Sequence, residues 1–563
     1  MVKFDLLRAK LKPPSQTTLN FLFILAVLYM TLFFQLGRMA LVGADEPRYA
    51  RVAEEMNNSG DYIVPMLRGK PWLEKPPLYY WLAAAGYRLF GINEGSARLP
   101  AALCGAACVL LLLVLAGKLW GEEIGFFASL MLATSPLFFV FNRAASTDPL
   151  LAAFLNSGLL IFLFAFERQS IWFFLASGAL LGLATLAKGP IALLLAAMPI
   201  LPVLVLYPSR RRVVGAVGAL AVATAVAVPW FWMIIRRTGF EFVSVFVLNH
   251  NLARFFTTLH HHEHPLYYYL PVLLAGLHPW SVLGIVFGFY LLHERRARRR
   301  PAGPGVVLRS PNSTDVSRRI FQDHDPKSIF LGCWSLLPIL FFSASGSKLP
   351  AYILPVCLPA AVSIALLFAS FTEKEYQRSR QAPFAVLTGL SVLSVLAVTA
   401  AADRLYQHPA LGAGLGLLLT LGSLLAWFVS SRGLSRALLA LAGTNVTLVA
   451  YLTLCILPVV QDFHSTRTVV RLALRELPAS EALFQYRYFH QTVDYYSGGR
   501  TVTDPIENIG EVRQTLAGHS PLWVVTEVKR LEELRSQPDL EVTTVAQRGN
   551  VAVVKISKHA PER

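Results

Sequence analysis

The chain has 563 residues, 55% of them hydrophobic and 15% charged, with a mean hydropathy of +0.50. That apolarity excludes a soluble domain and points to a polytopic membrane protein. The formal charge of +17 falls largely between apolar runs, as in cytoplasmic loops, so it calls for no nucleic-acid partner. Cys104, Cys108, Cys333, Cys357 and Cys455 all lie in apolar runs, with no metal-ligand spacing to histidine and no disulfide framework.

Lys3, Arg8, Lys10 and Lys12 precede an apolar run long enough to span, and no small-residue cleavage site follows, which reads as an uncleaved first helix. A polar, charged insert comes next, GADEPRYARVAEEMNNSGDYIVPMLRGKPWLEKPPLYYW, from Gly43 to Trp81. Asp45 and Pro47 suit a helix start, the carboxylate capping free amides. Tyr49, Val52, Ala53 and Met56 repeat at helical spacing, and Asn57-Asn58-Ser59-Gly60 ends the helix. Pro76-Pro77 opens a second helix that carries Tyr79, Tyr80 and Trp81 and stops near Gly91. The pattern predicts two helices in the membrane interface, apolar face down, with aromatic rings at headgroup depth. Asp45, Arg48, Glu74 and Lys75 then stand at or near their ends.

Runs long enough to span number about thirteen, near residues 18–36, 97–116, 124–141, 149–166, 171–186, 191–207, 213–235, 267–292, 328–342, 352–370, 384–401, 411–430 and 437–460. Basic clusters at Lys3–Lys12, Arg210–Arg212, Arg295–Arg300 with Arg309, Arg318 and Arg319, then Lys374, Arg378 and Arg380, and Arg432 with Arg436 fall in loops of one side. By the positive-inside rule the N-terminus is cytoplasmic, and loops 37–96, 142–148, 236–266 and 343–350 face outward with the C-terminal segment. The stretch 293–327, rich in Arg, Pro, Ser and Asn, reads as a solvated linker. The spans carry almost no charge, whereas an ion-coupled transporter or lipid flippase keeps ionisable groups at mid-membrane depth; the charge constellation outside also argues against a passive scaffold.

After Val460 hydropathy falls. Helix over 466–477, strand over 482–488, helix over 510–516, strand over 522–526, helix over 528–536 and a hairpin of 542–547 with 551–556 predict a small α/β domain over 461–563, outside the membrane domain of 1–460.

Chemistry is then sought in the outer loops. Asp148-Pro149 either caps the following span or offers a carboxylate; Lys188, in the tight loop Ala187-Lys188-Gly189-Pro190, either snorkels or meets an anion. The loop FEFVSVFVLNHNLARFFTTLHHHEHPLYYYLP carries His250, Arg254, His260, His261, His262 and His264. Arg254 is the preferred phosphate ligand because a guanidinium grips phosphate at two points. The histidines lack fixed ligand spacing, so a divalent metal held by Glu74 with His250 or His262 stays an open alternative.

The succession DEPRYA, GDYIVP and EKPPLYYW resembles the first periplasmic loop of bacterial GT-C glycosyltransferases that use polyprenyl-phosphate sugars, the lipid A aminoarabinose transferases and protein O-mannosyltransferases among them. The resemblance extends to an NH…RF then H…P…YY pattern at His250, Arg254, His262, Pro265 and Tyr268, and to a KL…YILP loop with Lys348 and Tyr352. It implies a helical GT-C fold with periplasmic interface helices in a bacterial inner membrane, and an inverting transfer of sugar from undecaprenyl phosphate to a periplasmic acceptor. That acceptor is lipid A, with transfer to protein Ser/Thr as the alternative. It implies catalytic roles for Asp45, Asp148 and Glu74, donor-phosphate contacts from Lys75, Arg48, Arg254, Lys188 and Lys348, and site positions for Tyr49, His250, His262 and Tyr352. Cations would hold the charge developing on the leaving phosphate, and a carboxylate would receive or orient the acceptor's proton. No DxD-like nucleotide-sugar motif occurs in the outer loops, in keeping with a lipid-linked donor.

Overall fold

The computed structural model describes residues 15–253, 264–298, 325–371, 377, 379, 381–502 and 504–559. Among them ten helices are long and apolar enough to cross a membrane. The other three of the thirteen apolar runs take different shapes. Glu122–Ala133 and Pro136–Asn142 form one run bent by 62°, and Leu266–Gly276 and Trp280–His293 another bent by 103°. Ile191–Leu206 is a shorter apolar helix. Proline explains the first bend: Pro136 lacks the amide that would continue the helix and opens the next one instead.

Thr147–Arg168 is the central helix, its apolar window 89% buried, against 22% for the peripheral Gln381–Tyr406. It packs on Ile171–Lys188 and Glu94–Trp120. Ile171–Lys188 in turn lies so close to Arg210–Thr238 that a Cβ on Gly178 would stand 2.2 Å from the Ala219 carbonyl oxygen. Small residues at such a crossing let two backbones approach where no hydrophobic drive separates lipid from side chain.

The two helices of the first loop form as their residues predict, over Asp45–Ser59 and Leu78–Phe90. Gly60 ends the first in the left-handed region at φ 73°, its amide donating to Met56 O at 3.0 Å. Two expectations are corrected. Asp45 is not the cap: it lies inside the first turn, and Ala44 stands at the cap position without a side-chain bond. The tyrosine rings do not face lipid headgroups either. Tyr79 and Tyr80 are fully buried and Tyr49 is nearly so, the three rings meeting at centroid separations of 5.8–6.2 Å. Such pairs contribute about 0.5–1.5 kcal/mol each beyond their buried area, which favours packing the helices on each other over wetting the rings. Tyr79 also donates to Ala97 O at 2.9 Å, anchoring the pair to the Glu94–Trp120 helix.

The tail builds a four-stranded mixed sheet in the order Leu483–Gln485, Leu522–Glu527, Val551–Lys558, Leu540–Arg548, with the first pair parallel and the others antiparallel. Each predicted strand is present. Gln491–Tyr496 adds a helix too short to show periodicity, and it packs directly on Asp45–Ser59. There Asp494, almost fully buried, pairs with Arg68 Nε at 3.2 Å, and Arg68 Nη2 donates to Gln491 at 2.9 Å. Glu94 receives Arg467 at 3.1 Å and Arg471 at 3.4 Å, and Tyr496 donates to the same carboxylate.

Candidate functional site

A cavity of about 600 Å³ opens between the first loop, the 142–148 loop and the Leu349–Ala351 turn. Asp45, Glu46, Arg48, Tyr49, Glu74, Lys75 and Asp148 all line it. Their positions follow from the local fold. The Asp45–Ser59 helix puts Asp45, Arg48 and Tyr49 on its first turns, and Glu74 and Lys75 precede the Pro76-Pro77 start of Leu78–Phe90. Asp148 sits on the first turn of Thr147–Arg168, where Ser146, and not Asp148, is the cap. Both carboxylates therefore keep their oxygens for the cavity and not for a helix end.

Asp45 pairs with Arg48 across one turn. The Arg48 guanidinium stands over the Trp72 ring at 5.0 Å and the Tyr49 ring at 5.7 Å. Burial, with the negative charge of Asp45 beside it, raises the Tyr49 hydroxyl well above its usual range, so it remains a proton donor at neutral pH. Lys75 is 9% exposed, and its Nζ donates to Glu74 O at 3.3 Å. Across the cavity Asp148 pairs with Lys188, whose ammonium lies 4.8 Å above the Tyr352 ring. Asp148, Lys188 and Tyr352 are thus gathered in one cluster of contacts, and Asp148 lines the cavity together with the Leu349–Ala351 turn beside Lys348. Lys348 itself is buried and turned back, its Nζ donating to Ser345 O at 2.7 Å.

Arg254 and His262 lie outside the described residues, as do the side-chain contacts of His250, whose backbone belongs to the Val243–Ala253 π-helical segment. Among the described residues no group of three or more His, Cys, Asp or Glu is arranged to hold a metal ion.

Sequence reasoning passed over the residue that fixes this arrangement. Glu46, beside Asp45, makes four hydrogen bonds. Its Oε1 accepts from Arg98 Nε at 2.9 Å and from the Ala145 amide at 2.8 Å; its Oε2 accepts from Arg98 Nη2 at 2.8 Å and from the Val42 amide at 3.0 Å. Arg98 spends its remaining hydrogens on the carbonyls of Leu36, Met39 and Ala40. One carboxylate therefore ties together the end of the first span, the helix bearing Asp45, the helix bearing Arg98 and the loop that leads to Asp148. The signal was available: Arg98 is a charge at the edge of an apolar run, and such a charge needs a partner.

Residues 74–235 match the family described as dolichyl-phosphate-mannose-protein mannosyltransferase. The undecaprenyl phosphate-α-4-amino-4-deoxy-L-arabinose arabinosyl transferase of Photorhabdus laumondii is 29% identical over 351 residues, 61% of this chain and 58% of that protein. The transferase of the same name from Pseudomonas savastanoi is 30% identical over 382 residues, 67% of this chain and 66% of that protein. The chain thus spans between half and two thirds of the length of these two curated relatives. Among solved structures, ArnT from Cupriavidus metallidurans bound to undecaprenyl phosphate superimposes with a TM-score of 0.77 at 22% identity, covering 95% of this chain and 97% of that one, which establishes a common fold. In sequence the chain is thus similar to the undecaprenyl phosphate-α-4-amino-4-deoxy-L-arabinose arabinosyl transferases, and in fold to ArnT.

Proposed function

We propose that the protein moves 4-amino-4-deoxy-L-arabinose from undecaprenyl phosphate to lipid A, at the periplasmic face of a bacterial inner membrane. The observation that carries this reading is the convergence of Asp45, Glu74, Lys75 and Asp148 on one cavity at the ends of apolar helices. The activity for which the relatives are named supplies the sugar and its lipid carrier.

In this reading an oxygen of the acceptor phosphate attacks the anomeric carbon. The new C–O bond forms as the bond to the donor's phosphate oxygen breaks, and the electron pair leaves with the polyprenyl phosphate. Lys75, nine-tenths buried, holds the charge that develops there, with Arg254 as the second donor; a desolvated cation stabilises that charge more than a hydrated one would. Lys188, kept in place by Asp148 and the Tyr352 ring, steadies the phosphate from the opposite wall, and Lys348 supports the turn beneath it. Arg48 adds positive charge next to Asp45. An acceptor phosphate is already ionised, so Asp45 orients the acceptor and balances charge, with Glu74 fixing Lys75. The N-terminus is cytoplasmic, and the tail over 461–563 lies in the periplasm as a separate α/β domain.

The test is expression in a host deprived of its own lipid A aminoarabinose transferase, with mass spectrometry of its lipid A and periplasmic proteins. Aminoarabinose on lipid A, absent with Lys75→Ala, is expected. Unmodified lipid A together with glycosylated Ser/Thr would replace this reading by protein O-glycosylation.

A further inference from the structure

A second cavity, of about 240 Å³, backs onto the first, and Val42, Glu46 and Ala144 form part of both walls. Apart from Arg98, Arg143 and Thr453 its remaining lining is apolar, with Leu36 and Met39 after the first span, Phe139 and Val140 on the Pro136–Asn142 helix, and Val449 and Leu452 in the last span. Val140 is 53% exposed on the second arm of the bent apolar run, so the rim is open at an apolar surface.

Two arginines supply the positive charge in this wall. Arg98 is neutralised by its two-point pair with Glu46. Arg143 is not: its guanidinium donates only to the carbonyls of Thr31 at 3.3 Å and Phe34 at 2.9 Å, and no carboxylate among the described residues pairs with it. Burial, with Arg98 nearby, lowers its pKa to about 10, which leaves it fully charged at neutral pH. A cation held in a low-dielectric wall without an anion is costly, and an anionic ligand relieves that cost.

We infer that this bay is the acceptor-side lipid site, taking acyl chain along its apolar wall and lipid phosphate at Arg143. The inference rests on the reading of the protein as a lipid A transferase. An apolar slot that ends at a cation with no carboxylate partner among the described residues fits a phosphate-bearing amphiphile and neither a neutral lipid nor a soluble sugar. The bay also opens where the reaction needs it: it meets the main cavity at Val42, Glu46 and Ala144, next to Asp45.

The test uses the full-length protein in nanodiscs of neutral phospholipid, with undecaprenyl phosphate-aminoarabinose and purified lipid A. Arg143→Gln should raise KM for lipid A on the order of tenfold, the loss of one hydrogen bond to a charged group, while KM for the donor stays within about twofold. Because Arg143 also braces two carbonyls, Val140→Trp provides an independent check: the position is half-exposed, the change narrows the rim, and the same selective rise is expected. A photoreactive side chain at position 140 should cross-link lipid A. Unchanged KM for lipid A in both variants, or a rise in KM for the donor instead, would overturn the assignment. Wild-type protein that transfers nothing to lipid A would refute the underlying function, a result distinct from wild-type transfer with indifferent variants.

Discussion

Glu46 and Arg98 face each other as a buried two-point ion pair, Nε to Oε1 at 2.9 Å and Nη2 to Oε2 at 2.8 Å, with every remaining lone pair and hydrogen directed at backbone. The pair sits one residue from Asp45 and, through the Ala145 amide, three from Asp148. Removing either member leaves the other charged and unpaired. Arg98→Ala should therefore destabilise the protein by about 3–5 kcal/mol. Glu46→Gln keeps the shape and loses the charge, so it should lower turnover more than it raises either KM, because it loosens Asp45 against Asp148. Thermal unfolding and steady-state kinetics of the purified variants check both. Wild-type turnover in Glu46→Gln would remove it as a positioning residue.

Asp45 separates the two kinds of acceptor. If it served as the base for a hydroxyl, Asp45→Asn would lose on the order of 10²–10⁴-fold in rate. For a phosphate acceptor the nucleophile is already an anion, so a smaller loss and nearly parallel pH–rate profiles for wild type and Asp45→Asn are expected. A steep acid limb that vanishes in the variant would assign Asp45 as a base and argue for a hydroxyl.

Glu54 gives the contact between tail and first loop a pH dependence. Burial raises its carboxyl above the usual 4.5, against the pull of its partner Arg51 at 3.0 Å, and Asp494 and Glu55 add to the rise. With the folded value above the unfolded one, the folded state binds the proton more tightly. Stability should thus fall as pH rises from about 4.5 through the raised value, and then level off. Melting curves of wild type and Glu54→Gln over that window should diverge, the variant losing this component. Superimposable pH dependences would mean that Glu54 titrates normally.

The charge distribution also predicts sidedness. Basic clusters such as Arg210–Arg212 and Arg432 with Arg436 flank loops assigned to the cytoplasm, and the tail lies against the loop that bears Asp45. A periplasm-active phosphatase fused after residue 563 should be active, and one placed in the Arg295–Arg300 cluster inactive. The reverse pattern would put the cavity in the cytoplasm.

Much of the candidate site's composition was legible because its residues are neighbours in sequence. Asp45 with Arg48, and Glu74 with Lys75, are neighbours in sequence, bounded by prolines and Gly60 that announce helix ends. What was not legible depends on distant contacts. Periodicity cannot say whether Tyr79 and Tyr80 face lipid or one another; that is decided by Tyr49 and the Glu94–Trp120 helix. The Asp148–Lys188 pair joins two loops forty positions apart, the separation of the two residue numbers. Glu46 went unassigned because its partner Arg98 had been counted into an apolar run. The bent runs likewise look continuous in hydropathy, and only the angle between their helices divides them.

The most direct measurement combines purified protein, undecaprenyl phosphate-aminoarabinose and lipid A, with both products followed by mass spectrometry over time. The account predicts aminoarabinose-modified lipid A and free undecaprenyl phosphate in equal amounts, neither forming with Lys75→Ala. Donor that is consumed while lipid A stays unmodified, or Lys75→Ala enzyme that turns over at the wild-type rate, would contradict it.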